Sequence, residues 1–406
     1  MTMARLLRAL AVLLGLGLGS QALAEPDPGD WDGVIAEARG QTVHWHAWAG
    51  STRINDYIAW VAQQVDARYG IRLEHVKIAD TSDAVGRVIA EKAAGRDSGG
   101  AVDLVWINGE NFAAMKENGL LFGPWAEALP NWTFVDPVAN ASLVYDFTVP
   151  TEGLEAPWGM AQVVFFHDTS RVPDPPRTMA ALLDWAAAHP GRFTYPQPPD
   201  FLGTTFLKQA LYGFMADPKV LLHPVEEAEY ATLTAPFWGF VEELTPLLWR
   251  SGRAYPQSGP RQIQLMADRE IDLAISFSPG EASAAIANLE LPETVRTYVL
   301  DGGTIGNASF VAIPYNASAK AAAMVVADFL MSPQAQARKQ DPAYWGSGTV
   351  LDLGLLSVPD RARFEALDLG IATLTPEQLG APLPEPHPSW MVRLEADWQA
   401  RFGVAP

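Results

Sequence analysis

Cysteine is absent from the 406 residues. That excludes disulfides, thiolate nucleophiles, cysteine-based zinc sites and lipid attachment to an N-terminal cysteine. Basic side chains are scarce: 28 Lys and Arg against 47 Asp and Glu leave a formal net charge of −19. Such a chain is repelled by nucleic-acid backbones and anionic membrane surfaces, so nucleic acid is excluded as a partner. The same charge favours cationic ligands, although an acidic surface also serves simply to keep a protein in solution. The signatures of catalysis are missing too. No P-loop, Gly-x-Ser-x-Gly or His-Glu-x-x-His pattern occurs, so the corresponding hydrolytic chemistries have no anchor. His44 and His46 share one face of an expected strand but find no third ligand at telling spacing, and no metal site is expected. Gly302–Gly306 (GGTIG) is not followed directly by a helix and fails as a dinucleotide loop. No cofactor and no catalytic residue is expected.

Long apolar runs are equally rare. The one at the start, Ala9–Gly19, follows Arg5 and Arg8 and precedes Ala22-Leu23-Ala24, a small-x-small cleavage pattern. It falls short of the ~20 apolar residues a spanning helix needs. Met1–Ala24 therefore reads as a cleaved export signal, and the mature chain is expected to be soluble in the periplasm, without a lipid anchor. Losing Arg5 and Arg8, with no acid lost, moves the charge from −19 to −21. The roughly 380 residues that remain suffice for two lobes by the usual domain-size prior.

What is present is a regular alternation of strands and helices. Thr42–His46 reads as a strand, and Ile54, Tyr57, Ile58, Val61 and Val65 trace the apolar face of the helix after it, closed at Tyr69-Gly70. Ile71–Val76 alternates like a strand; Val85, Val88, Ile89 and Ala93 mark another helix. Asp103–Ile107 is a compact apolar strand, with a helix near Phe112–Glu117. This spacing predicts parallel sheets covered by helices on both faces. Glu155–Phe166 reads as a strand crossing to a second lobe at Pro157-Trp158-Gly159, and Ser276–Glu281 as the return crossing. A further helix is expected to start near Gly203-Thr204-Thr205, and Trp390–Trp398 reads as a lobe-stabilising helix.

Asn307–Gln340 (NASFVAIPYNASAKAAAMVVADFLMSPQAQARKQ) is the densest passage. Ser309–Ile313 is a short strand stopped by Pro314. Ser318 is placed to cap a helix whose buried stripe is Ala322, Val325, Val326, Phe329 and Leu330, and Ser332-Pro333 restarts a second helix. Together with VHWHAWAGSTRINDYIAWVA, VDLVWINGENFAAMKENGLL, GLEAPWGMAQVVFFHDTS and PDPPRTMAALLDWAAAHPGRFTYPQPPDFLGTTF, this passage resembles the YnjB-type family of ABC-transporter solute-binding proteins. It is more loosely similar to the polyamine- and thiamine-binding groups. The resemblance spans nearly the whole mature chain in one order. It implies a type II-like periplasmic binding protein fold: two α/β lobes, each a mostly parallel sheet flanked by helices, joined by crossing strands and closing by hinge motion. Lobe I would be 25–155 plus 279–314, and lobe II 156–278 plus 315–406. The implied partners are a small-molecule solute and an inner-membrane ABC permease with its ATPase, the protein itself a monomer.

In such sheets ligands sit where strands end and helices begin. That rule selects Trp48, Ser51, Thr52, Trp106, Asn108, Glu110, Asn111, Trp158, Thr204, Thr205, Ser278, Glu281 and Asn307 as candidate ligand-binding residues. Tryptophans beside Glu110 or Glu281 suit an organic cation. Tryptophans beside the three asparagines equally suit a sugar. A third alternative is an exported enzyme on the same fold, with Glu110 and Glu281 as acid and base.

Overall fold

The computed structural model describes residues 25–403; the expected export signal lies outside them. The described residues form ten strands: β1 Thr42–Trp48, β2 Arg72–Ile78, β3 Leu104–Ile107, β4 Tyr145–Asp146, β5 Val149–Pro150, β6 Glu155–Gln162, β7 Val164–Asp168, β8 Leu273–Ser276, β9 Val295–Tyr298 and β10 Gly306–Ala312. They form a five-stranded sheet in the order β2-β1-β3-β10-β6, a three-stranded sheet β8-β7-β9, and the small hairpin β4-β5. Each of the two larger sheets is covered by helices, giving two α/β lobes.

The first sheet is mostly parallel, with only β10 running against its neighbours. In the second sheet both pairings are antiparallel, unlike the parallel arrangement expected. The reason lies in how the chain enters. β1, β3, β6 and β8 run towards the space between the lobes and end there, whereas β7 and β10 begin there after a crossing. β7 is central in a sheet of three, so both of its neighbours oppose it.

The crossings also fall elsewhere than expected. Pro157-Trp158-Gly159 is paired inside the first sheet, and Val163 alone separates β6 from β7. Ser276–Glu281 is no return crossing, because β9 still pairs with β7; the chain returns through 299–305. Nor does 315–406 go wholly to the second lobe. Ala317–Phe364 belongs to the core of the five-stranded sheet, since β10 ends there and only seven residues precede the helix Lys320–Leu330. That helix packs on Trp31–Ala38 and on β1. A further passage through 365–371 takes the chain to Ala372 in the second lobe.

Side-chain periodicity explains the cores. Val163 and Phe165 enter one side of the second sheet while Val164 and Phe166 enter the other, the alternation a pleated strand imposes. The C-terminal helix Pro388–Phe402 buries Trp390 and Trp398 completely in the second lobe, where a lobe-stabilising helix was expected. Each hides roughly 200 Å² of ring, worth about 5 kcal/mol before entropy is charged. Local signals held at Ser332, whose side chain caps Pro333–Gln340, and at left-handed Gly70, which ends Thr52–Tyr69. Ser318 does not cap the following helix with its side chain. The backbone N–H groups of Ser318 and Ala319 instead donate to buried Asp103, at 2.8 and 3.0 Å. Ile89 of the expected helical stripe is 45% exposed, while Ala84 and Glu91 are buried in its place.

Candidate functional site

A cavity of about 600 Å³ lies between the lobes, lined from both. Strand ends and their following turns build its first wall. β1 delivers Trp48, β2 leads into Ala79 and Asp80, and β3 delivers Trp106 and then Asn108, Glu110 and Asn111 at the start of the helix Gly109–Glu117. β10 places Asn307, its second residue, on the same wall. The opposite wall carries Asp200, Phe201, Phe277, Ser278, Glu281, Met391 and Glu395.

Eight of the thirteen sequence candidates meet here: Trp48, Trp106, Asn108, Glu110, Asn111, Ser278, Glu281 and Asn307. Five do not. Ser51 is the N-cap of Thr52–Tyr69 and Thr52 is exposed on its first turn, away from the cavity. Trp158 is wholly buried in the first lobe, edge-on to Trp45, Trp106 and Trp345. Thr204 and Thr205 sit inside the helix rather than at its start, because Asp200 caps it and Phe201 opens it. The Thr204 hydroxyl donates to Glu395 at 2.7 Å and Thr205 donates to the Phe201 carbonyl at 2.7 Å. The displacement of three residues exchanges two hydroxyls for a carboxylate and a phenyl ring in the cavity wall. Asp200 was open to detection, since Asp before an apolar helical run is an N-cap signal. Glu395 was not: nothing near it in sequence says which element its helix faces.

Charge in the cavity is one-sided. Asp80, Glu110, Asp200, Glu281 and Glu395 line it, and no lining residue is Lys, Arg or His. Burial pushes the Glu110 carboxyl up to about 7, with nearby Glu395 and Asp80 adding repulsion that Lys208 partly offsets. Burial likewise raises Glu395 to about 7, against the hydrogen bond from Thr204. Asp200 rises to about 6 by burial, despite the N–H groups it accepts. Glu110 accepts from Asn111 at 2.6 Å through Oε1, while its Oε2 is buried with no partner. That oxygen is an acceptor waiting for a donor.

The amides are less free than their number implies. Asn108 donates to the Ala308 carbonyl at 2.7 Å, and Asn307 donates to Glu385 at 2.9 Å. Glu385 also holds Lys208 in a buried ion pair at 2.7 Å, the ammonium lying 4.3 Å from the Phe147 ring centre. Glu281 is bound by the Arg53 guanidinium from the other lobe. Burial raises its carboxyl, and Arg53 opposes the shift. His44 is committed to Asp103 at 2.8 Å. Among the described residues no group of three or more His, Asp or Glu is arranged to hold a metal ion.

The profile of the family described as bacterial extracellular solute-binding protein matches residues 60–351 of this chain. Protein YnjB of Escherichia coli K12 is 45% identical over 389 residues, covering 96% of this chain and 98% of that protein. The chain belongs to the bacterial extracellular solute-binding protein family. Solved structures of low identity share the fold. The periplasmic binding protein AfuA of Actinobacillus pleuropneumoniae, with fructose-6-phosphate bound, superposes with a TM-score of 0.61 at 16% identity, covering 90% of this chain and 99% of that one. The spermidine/putrescine ABC transporter substrate-binding protein PotD of Streptococcus pneumoniae gives 0.56 at 15%, covering 89% and 98%. Ligands of opposite charge on one fold mean that a member's solute must be read from its own cleft. Among the described residues no helix is long and apolar enough to cross a membrane.

Proposed function

We propose that this protein is the periplasmic component of an ABC importer and captures a small organic cation between its two lobes. It hands the solute, as a monomer, to a membrane permease driven by an ATPase. The observation that carries the solute class is the cavity lining: five carboxyl residues and no basic side chain. Around them stand Trp48, Trp106, Phe201, Phe277 and Trp345, aromatic faces on which a cationic nitrogen is held by about 0.5–2 kcal/mol each. The unpartnered Glu110 Oε2 supplies the buried charge that such a nitrogen needs.

A phosphorylated solute would meet like charge on both walls. A neutral sugar fits less well than the three asparagines implied, because two of them spend amide donors inside the protein and the third donates to Glu110. The enzyme alternative loses its acid–base pair, since Glu281 is engaged by Arg53; the cleft binds and releases its solute unchanged. The export signal over Met1–Ala24 delivers the chain to the periplasm.

A thermal-shift screen tests the reading. Protein unfolded, stripped of solute and refolded is challenged with polyamines, quaternary amines, thiamine-like cations, neutral sugars and sugar phosphates. A true ligand at a hundred times its dissociation constant adds about 2.7 kcal/mol of stability. Stabilisation by amines alone is expected. Stabilisation by sugar phosphates and not by amines overturns the proposed solute class.

A further inference from the structure

Away from the solute cavity's centre, the two lobes touch backbone to backbone. Gly280, in the turn after β8, lies against Gly346 of the first lobe so closely that a Cβ on Gly280 would stand 2.4 Å from the Gly346 carbonyl oxygen and 2.8 Å from its Cα. Gly280 has φ −88° and ψ −1°, a conformation open to any residue. Its glycine is therefore required by the approach and not by the turn. Gly346 has φ +88°, and a Cβ there would stand 3.0 Å from the Gly280 oxygen. Two polar contacts flank the pair. The Ser278 hydroxyl donates to the Gly346 carbonyl at 3.1 Å. Arg53, on the first turn of Thr52–Tyr69, binds Glu281 and reaches Glu290 at 3.4 Å, both on the second lobe.

The first-lobe side of this contact is braced from within. The N–H groups of Gly346 and Ser347 both donate to the Lys339 carbonyl at 3.0 Å. The Lys339 side chain, fully buried, donates to the Trp158 carbonyl at 2.6 Å and lies 4.6 Å from the Trp345 ring centre. An added methyl group on Gly280 would therefore meet hydrogen-bonded backbone and not the end of a flexible side chain.

We propose that Ser278–Glu281 against Arg53 and Gly346 is a closure seam, with Gly280 as the positioning residue that lets the lobes shut and so sets how long solute is held. The inference rests on reading the protein as one that captures solute by closing two lobes. Solute itself is held by the cavity's carboxylates and rings. The seam's backbone contact, Gly280 on Gly346, lies outside the cavity lining. It adds to the free energy of the shut state apart from the solute contacts, and so acts on release more than on encounter.

The absence of cysteine makes a direct test available. Ala67 and Ala187 are exposed, one on each lobe; changed to cysteine and spin-labelled, they report the interlobe distance by pulsed electron resonance. In the wild type as purified, a population at the shut distance is expected. In Gly280→Ala that population should fall at least tenfold, while the denaturation midpoint of the solute-free protein stays within error of wild type. Arg53→Met, which puts no new atom in the contact, should reduce it less. A wild type lacking the shut population, or a Gly280→Ala protein that keeps it, overturns the seam. The distance readout needs no added solute. A screen in which no amine binds bears on the solute class and leaves this result standing.

Discussion

Acidification should weaken solute capture while strengthening the solute-free fold. Glu110 and Glu395 both titrate near 7 in the cleft, raised chiefly by burial. A bound cation favours the ionised carboxylate, so below pH 7 binding must also expel the proton. By linkage, a group at about 7 that ionises on binding weakens affinity about 90-fold between pH 8 and pH 5, and two such groups on the order of 10⁴-fold. Stability runs the other way. A carboxyl raised from its unfolded value near 4.5 to about 7 binds more protons folded than unfolded. Its penalty is absent below pH 4.5 and fully present above 7, so the solute-free melting temperature should rise as pH falls from 8 to 5. Asp200, raised to about 6, adds to the trend. Calorimetric titration across this range with the amine selected by the screen reads the first effect, and thermal melting of stripped protein reads the second. Glu110→Gln should flatten part of the affinity profile. Affinity that is constant or tighter at pH 5 would refute the reasoning, because the carboxylates would then take no part in binding.

Three substitutions separate binding from stability. Trp106→Ala removes an aromatic face of the cavity and should cost about 1–2 kcal/mol of cation affinity, measured by calorimetry. Lys208→Met strands Glu385 in the interior with only Asn307 as partner, and should lower stability to urea by about 3–5 kcal/mol. Lys339→Met should not destabilise. Burial holds that ammonium's pKa well below its ordinary value, no carboxylate among the described residues pairs with it, and the Trp158 carbonyl keeps a second donor from Gln336 at 2.8 Å. The folded state binds fewer protons there than the unfolded chain, so any gain from Lys339→Met grows as pH falls below the ordinary lysine value of 10.5. A loss of more than about 2 kcal/mol in urea melts would contradict this.

The first wall of the cleft was legible because its logic is local. An apolar strand such as Asp103–Ile107, followed by a turn into a helix, puts Trp106, Asn108 and Glu110 at a strand end whatever the rest of the chain does. The second wall depends on long-range placement. Glu395 reaches the cavity because the C-terminal helix packs on both the second lobe and the helix Gly109–Glu117, and no local pattern encodes that contact. Trp158 was misjudged because a single residue, Val163, effects the crossing. The Pro157-Trp158-Gly159 sequence looked like a break, yet it pairs in a sheet with a register shift at Ser309/Phe310. The lobe split erred for a related reason: the chain crosses at 299–305 and again at 365–371, in stretches whose composition resembles their flanks. The seam at Gly280 was invisible for want of any signal that its glycine answers to another loop.

The most direct measurement is the crystal structure of the stripped protein with the amine that the screen selects. The expected result is a cationic nitrogen about 2.8 Å from Glu110 Oε2, bounded by the Trp106 and Trp345 rings, with Gly280 still against Gly346. A solute bound through a neutral or anionic group at Glu110, or bound outside this cavity, would contradict the assignment of the cleft as a cation site.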